Sequence, residues 1–285
     1  MDSTINIDTW LTKARKRLKK QPEESISSLY ALLMEALQKP KPWIIAHSDE
    51  KLSPNVIQKI DLDLNRVIKG EPLAYILGHW EFFGLDFIIS QDVLIPRPET
   101  ELMVERAIHW MKVHPNYHLA ADVGTGSGCI AISIAKYIHD LNIIASDISF
   151  SALRVAHKNI KHHNMKSRIS LLCANTLQPL NSKFGLICAN LPYIPSENLK
   201  SLEVRKYEPM QALDGGKDGM RIIHGLLKNV SHYLQNDGLL LLEIESNQGK
   251  KALRCSKSIF PFAKINILKD LAGRDRLLLI ENTKL

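Results

Sequence analysis

Asn190, Leu191, Pro192 and Tyr193, in the stretch CANLPYIPS, are the residues best suited to chemistry on nitrogen. An Asn with a constrained backbone and an aromatic neighbour, set in an apolar run, suggests a pocket for a flat, uncharged nitrogen group. The nitrogen of an amide or of an aromatic amine has a delocalised lone pair and is a poor nucleophile. A site can help by accepting hydrogen bonds from both of its N–H groups. The side-chain oxygen of Asn190 can take one, and the main-chain carbonyl of Leu191 the other. The lone pair is then free to point at a methyl carbon, and both bonds strengthen as positive charge develops on the nitrogen. Tyr193 can pack against the flat group and fix its plane. Leu191 is acceptable because its working atom belongs to the backbone, and Pro192 biases it toward extended conformations. The same residue types also make an ordinary turn. The motif by itself does not choose between an amide and an adenine amine.

The stretch ADVGTGSGCIAISIAK reads as a strand ending at Val123, a glycine loop, and a helix starting near Cys129. The loop is Gly124, Thr125, Gly126, Ser127 and Gly128. Its glycines allow a tight turn and let a ligand approach the main chain. The helix start behind it offers unpaired N–H groups. The spacing Gly-x-Gly-x-Gly is not that of dinucleotide binders, and no Walker-type Lys-Ser/Thr pair follows, so a pyrophosphate is not the favoured ligand. Asp147 closes the next strand, where a carboxylate can accept hydrogen bonds from both hydroxyls of a ribose. It would equally suit a helix cap. A glycine loop and a ribose acid without phosphate machinery point to S-adenosyl-L-methionine, with S-adenosyl-L-homocysteine as product. Asp122, just before the loop, is a candidate to orient the cationic methionine end. Asn190 falls beside this pocket and counts toward it.

Such residues need a sheet to hold them. From about residue 96, strand patterns at 119–123, 142–146, 168–173, 184–189, 239–244, 264–268 and 276–280 alternate with apolar helices at 130–138, 149–160 and 222–234. That alternation predicts an α/β fold, a mostly parallel seven-stranded sheet covered on both faces. The loop between the last two strands is too short for a helical crossover, so that pair is expected to be antiparallel. Residues 1–71 read as a helical domain, with Ile26, Leu29, Leu33 and Leu37, then Ile57, Ile60, Leu64, Val67 and Ile68, at helical spacing. Residues 72–95, containing HWEFFGLDFIIS, read as a β-hairpin linker, and 96–285 as the α/β domain.

The chain has 285 residues, 45% hydrophobic and 24% charged, as soluble globular proteins do. No apolar run is long enough to span a bilayer, and the first residues lack the layout of a signal peptide, so a cytoplasmic protein is expected. The net charge of +7 suits a partner rich in phosphate or carboxylate. The densest basic cluster, KARKRLKK at Lys13 to Lys20, lies on a helix whose apolar face is Trp10, Leu11, Ala14 and Leu18. It is either a solvated face or a weak contact with RNA or the ribosome. Of the cysteines, Cys129, Cys173 and Cys188 sit in apolar runs and read as buried thiols, while Cys255 stands apart; none forms a Cys-x-x-Cys pair. His162 and His163 read as a solvated helix end. No metal site is expected, and a monomer is the default.

These segments resemble the bacterial HemK/PrmC family, protein-glutamine methyltransferases that modify peptide chain release factors. The likeness runs through PLAYILGHWEFFGLDF, VLIPRPETELMVE, DVGTGSGCIAISIAK, ASDISFSALRVAHKN, LICANLPYIP, YEPMQALDGGKDG, LLLEIESNQG and KDLAGRDRLLLI. IPRPETE and AGRDR are the more specific segments. The resemblance implies a Rossmann-like class I S-adenosylmethionine-dependent methyltransferase domain with a small N-terminal helical domain that recognises the substrate protein. It implies methylation of the side-chain amide nitrogen of the glutamine in the Gly-Gly-Gln motif of release factors 1 and 2. It puts the cofactor loop on Gly124 to Gly128, the ribose acid on Asp147, the adenine-side position near Asn175 and Thr176, and the substrate motif on Asn190 to Tyr193. Leu191 stands where the family commonly has proline. Asn-Leu-Pro-Tyr is similar to the motif of rRNA adenine dimethyltransferases. Glu245 and Ser246 stand where glycine is commoner. The other readings are an adenine-N6 methyltransferase acting on RNA or DNA, a glutamine methyltransferase acting on a ribosomal protein, and a binding module without catalysis.

Overall fold

The computed structural model describes residues 5–18, 24–178 and 180–283. The chain divides into two compact units, Met1–Gly78 and His79–Leu285.

The first unit is helical: α1 (Ile7–Arg17), α2 (Glu24–Leu37), α3 (Lys41–Ala46), α4 (Pro54–Ile68) and α5 (Leu73–Leu77). Local chemistry sets the helix starts. The Asn6 side chain accepts from the Thr9 N–H at 2.8 Å, and Ser53 caps α4 ahead of Pro54 at its first position. Trp10, Leu11, Ala14 and Leu18 are buried as their spacing predicts, with Leu29, Leu33, Ile60 and Leu64. Ile26 and Ile68 are exposed instead, at 46% and 39%. They stand near helix ends, beyond the buried stripe. Lys13, Arg15 and Lys16 are exposed, Arg17 donates to Asp61 and Asn65, and Lys19 and Lys20 lie outside the described residues. The segment expected as a linker, 72–95, is divided. Leu73, Ile76 and Leu77 pack on the helical core, and Gly78 ends α5 at φ 81°. The hairpin of β1 (His79–Phe82) and β2 (Leu85–Ile88) falls in the second unit.

The second unit is built on a seven-stranded sheet of β3 (Leu119–Val123), β4 (Asn142–Asp147), β5 (Ile169–Cys173), β6 (Phe184–Ala189), β7 (Leu234–Glu243), β8 (Lys264–Lys269) and β9 (Asp275–Glu281). The strand order is β5-β4-β3-β6-β7-β9-β8. The first five in sequence run parallel, and β9 lies antiparallel to both β7 and β8. The helices are α6 (Glu101–Val113), α7 (Cys129–Tyr137), α8 (Phe150–His162), α9 (Ser196–Leu199), α10 (Arg221–Val230) and α11 (Gly249–Ile259). Every residue of β6 is buried, as a central parallel strand covered on both faces requires. The helix expected at 222–234 ends early, and β7 takes up the chain at Leu234 to pair with Phe184.

Strand order reverses between β3 and β6, which pair in register with Val123 opposite Ala189. In an open α/β sheet that reversal leaves a crevice at the carboxyl ends of the strands. The glycine loop leaves β3 there, and Asn190 leaves β6 beside it.

Candidate active site

A cavity of about 440 Å³ opens at this crevice. Gly124 to Ser127, Asp147, Asn175, Thr176, Asn190, Leu191 and Pro192 all contribute to its wall. Gly128, Tyr193 and Asp122 do not. Gly128 lies behind the loop at the start of α7, at φ 83°, packed near Ile132 and Ala156. Tyr193 is not among the wall residues, and its phenol donates to a buried carboxylate, Glu243, 3.2 Å away. The Tyr193 hydroxyl therefore anchors the motif to β7.

Asp147 holds the loop as well as facing the cavity. Its Oδ2 accepts from the Gly126 N–H at 2.9 Å, and its Oδ1 accepts from the Ser149 N–H at 2.8 Å. The cap of α8 is Ser149, whose hydroxyl accepts from Ala152, so Asp147 is not needed for that task. Burial raises the Asp147 carboxyl above its ordinary range, and its backbone partners oppose the rise. A carboxylate oxygen has lone pairs beyond those the loop uses, so it can still accept from a ligand hydroxyl.

Asp122 sits beneath the loop and is not part of the wall. Its Oδ2 accepts from the Thr125 hydroxyl at 2.6 Å and from the Ala131 N–H at 3.3 Å, while Oδ1 is buried without a partner among the described residues. Its place is therefore to brace Thr125 and the start of α7, not to touch a ligand. Burial pushes its carboxyl up to about 7. A carboxyl whose folded value lies above its unfolded one favours folding most when protonated. That contribution is full below the ordinary carboxylate range and is lost as pH rises to about 7. Asp122→Asn removes this loss. Its melting temperature relative to wild type should therefore rise as the pH goes from acidic toward 8, measured by thermal melts across that range.

Gly124, at φ 75°, is the point where loop and motif touch. A Cβ there would lie 2.9 Å from the Asn190 carbonyl oxygen and 3.1 Å from Leu191 Cδ2. The lack of a side chain lets the end of β6 come this close. Leu191 is 6% exposed and belongs to the core between β6, β7 and α10. Its side chain thus fills space against the glycine loop, while its main chain continues the site wall.

Several residues that sequence reasoning left without roles hold the motif in place. The Asn190 Nδ2 donates to Thr100 Oγ1 at 3.2 Å. Thr100 in turn donates to Glu243 Oε2 at 2.7 Å, and both Thr100 and Glu243 are buried. Gln248 donates from Nε2 to the Tyr193 carbonyl at 2.9 Å. Gly219 has no side chain where one would collide with that same carbonyl. Arg97 pairs with buried Glu208 at 2.5 Å, next to Pro96 and Pro209 of the wall. Each lies in one of the quoted segments IPRPETE, YEPMQALDGGKDG or EIESNQG, which was the available signal.

Other expectations are adjusted. Cys129 and Cys188 are buried, but Cys173 is exposed at the end of border strand β5. His163 is not simply solvated: its Nε2 hydrogen-bonds the Asp86 carbonyl at 2.9 Å and its ring lies near Phe87. Among the described residues no group of His, Cys, Asp and Glu could hold a metal ion, and no helix is long and apolar enough to cross a membrane.

A sheet of this order, with a glycine loop after its first strand and an acid after its second, defines a class I methyltransferase. The methyltransferase small domain matches residues 105–204, and the PrmC N-terminal domain matches residues 9–78. A methyltransferase of solved structure from Pyrococcus furiosus superposes with a TM-score of 0.53 at 16% identity, over 81% of this chain and all of that one, which shows the fold. A release factor glutamine methyltransferase of Moorella thermoacetica is 39% identical over 251 residues, 87% of this chain and 88% of that protein. Its counterpart in Buchnera aphidicola is 36% identical over 96% of this chain and 98% of that protein. The chain belongs to the release factor glutamine methyltransferase family.

Proposed function

We propose that this enzyme methylates the side-chain amide nitrogen of the glutamine in the Gly-Gly-Gln motif of peptide chain release factors 1 and 2. The observation that carries the reading is the place of Asn190. It stands at the end of β6 beside the glycine loop, with its Nδ2 committed to Thr100 and so with Oδ1 left for the cavity.

The donor in this reading is S-adenosyl-L-methionine, which supplies an electrophilic methyl group. The residues present fit it. Asp147 offers a carboxylate to a ribose, Gly124 to Ser127 offer close main-chain approach, and Asn175 and Thr176 form the adenine side. Asn190 Oδ1 and the Leu191 carbonyl accept from the two N–H groups of the substrate amide and turn its lone pair toward the methyl group. The C–N bond would form as the methyl–sulfur bond breaks, with S-adenosyl-L-homocysteine leaving; the amide proton becomes acidic only then and is lost to solvent, so no strong base is required in the wall. Val93, Pro96, Leu191 and Met210 give the wall an apolar lining.

The enzyme is read as a cytoplasmic monomer. Its helical unit is assigned to recognition of the substrate protein, and exposed Lys13, Arg15 and Lys16 to a weak ribosome or RNA contact. An adenine amine has the same donor pattern as an amide, and Leu191 favours that reading. Labelled cofactor separates the two. Transfer to purified release factor without RNA, abolished by changing its Gly-Gly-Gln glutamine, is expected. Transfer to naked RNA with steep salt dependence would instead support the adenine reading.

Leu191→Pro is expected to remain active, because the carbonyl is kept. It should cost stability on the order of 1–2 kcal/mol through lost packing against the glycine loop. Steady-state assays and chemical denaturation check this, and a folded but inactive variant would give the Leu191 side chain a role of its own.

A further inference from the structure

We infer that Thr100 and Glu243 are positioning residues that fix which end of the Asn190 amide faces the cavity, and so select a hydrogen-bearing nitrogen as the acceptor of the methyl group. The inference rests on the reading above that Asn190 accepts a hydrogen bond from the substrate.

A side-chain amide has a donating and an accepting end of nearly the same shape. Only the accepting end helps a substrate nitrogen to become nucleophilic. Turned the other way, Asn190 would set its own N–H groups against those of the substrate. Something must therefore choose, and the choice is made at the wall itself, where Thr100 lies beside Asn190. Thr100 Oγ1 has a single proton and lies between two groups, Glu243 Oε2 at 2.7 Å and the Asn190 side chain at 3.2 Å. An ionised carboxylate has only lone pairs to offer. The Thr100 proton therefore goes to Glu243, and the Thr100 lone pairs face Asn190. Lone pairs are met only by an N–H, so Nδ2 turns inward and Oδ1 turns to the cavity.

The other partners of Glu243 keep it in the accepting role. Its Oε1 receives the Tyr193 phenol at 3.2 Å, so both oxygens accept. Arg276 on β9 favours the ionised form, and is itself held by Asp270, whose Oδ2 accepts from Nη2 at 3.2 Å and from Nε at 3.3 Å. Burial pushes the Glu243 carboxyl up, and the hydrogen bond from Thr100, the charge of Arg276 and the hydrogen bond from Tyr193 oppose that, while Glu99 adds to it. Two segments distant in sequence, PRPET and LLLEIE, are thus joined in one chain of hydrogen bonds that ends at Asn190, and the charge of Arg276, in LAGRDR, acts on it. The same polarity rejects a glutamate side chain, which would bring lone pairs against Oδ1.

The test is single-turnover methylation of purified release factor by wild type, Thr100→Val and Thr100→Ser, with cofactor affinity measured by calorimetry. Thr100→Val keeps the shape and removes both hydrogen bonds. It is expected to lower the rate constant about 100-fold, the scale of misplacing a reacting group, while KM for the release factor and cofactor affinity stay near wild type. Thr100→Ser restores the hydroxyl and should recover most of the rate. Thr100→Ala carries the same expectation as Val if the Val variant does not fold in a thermal melt. Glu243→Leu should be as slow as Thr100→Val, and the double variant no slower than either, because the residues act through one chain. An active wild type with an unaffected Val variant, or a Ser variant as slow as Val, overturns this inference alone. A wild type that methylates no release factor overturns the functional reading and the inference with it.

Discussion

Asn190→Ala is expected to lower the rate constant of methyl transfer by about 100- to 1,000-fold, roughly 3 kcal/mol, the scale of losing one preorganised acceptor or donor aimed at developing charge. The physical reason is differential. Oδ1 does little for a neutral amide in the ground state and much for the same nitrogen as it becomes cationic. The loss should therefore fall on kcat, with little change in KM. Cofactor affinity should stay near wild type, because Asp147 and the glycine loop are untouched. The fold should tolerate the change, since the main chain of the motif is held independently by Gln248 at the Tyr193 carbonyl and by β6 pairing. Single-turnover kinetics with labelled cofactor and a calorimetric titration give the two numbers. Near-normal turnover by a folded Asn190→Ala protein would remove the side chain from the mechanism.

Asp147→Ala has the opposite signature. Two charge-assisted hydrogen bonds to a ribose, each worth about 1.5–3 kcal/mol, are lost together, so the cofactor Kd should rise by about 100-fold or more. The substitution also leaves the N–H groups of Gly126 and Ser149 without their acceptor, so some loop order and about 1–3 kcal/mol of stability should go with it. At saturating cofactor the rate constant should recover substantially, as it cannot for Asn190→Ala. The contrast is the informative part: the proposed mechanism assigns one residue to affinity for the donor and the other to the chemical step. A Kd for Asp147→Ala within a few-fold of wild type would mean that the donor is held elsewhere.

The sheet was legible because each strand is a short apolar run and the crossover helices between the early strands carry unbroken apolar faces. β3, β6 and the antiparallel end of the sheet follow from that pattern. α6 and α11 were missed. In α11, GKKALRCSKSI, charged residues interrupt a narrow buried stripe of Gly249, Ala252 and Ser256, so little apolar periodicity shows in the string. α6 follows directly on the PET turn, where two prolines close by hide the helix start. α5 reads as linker because a five-residue helix between Pro72 and Gly78 looks like punctuation.

The candidate site divides in the same way. Glycines and Asp147 announce themselves together, because a glycine loop after one strand and a carboxylate at the end of the next fit one ligand, although Asp147 alone would equally suit a helix cap. Asn190 announces itself because a polar side chain interrupts an apolar strand end. Thr100, Glu243 and Gln248 gave no such sign, since their role exists only through contacts 143, 90 or 55 residues away in sequence. The partner of the Tyr193 hydroxyl is hidden for the same reason: nothing in the string indicates that a carboxylate on β7 lies within its reach. The position of Asp122 just before the loop points it toward a ligand, and burial beneath the loop instead makes it a brace.

The central claim is that this cavity presents acceptors to an amide nitrogen. The most direct measurement is tandem mass spectrometry of release factor after incubation with the enzyme and S-adenosyl-L-methionine, with fragments that resolve the modified atom. One methyl group on the side-chain amide nitrogen of the Gly-Gly-Gln glutamine is the result predicted. An unmodified glutamine in release factor, with methyl transfer found instead on an adenine of RNA, would contradict it.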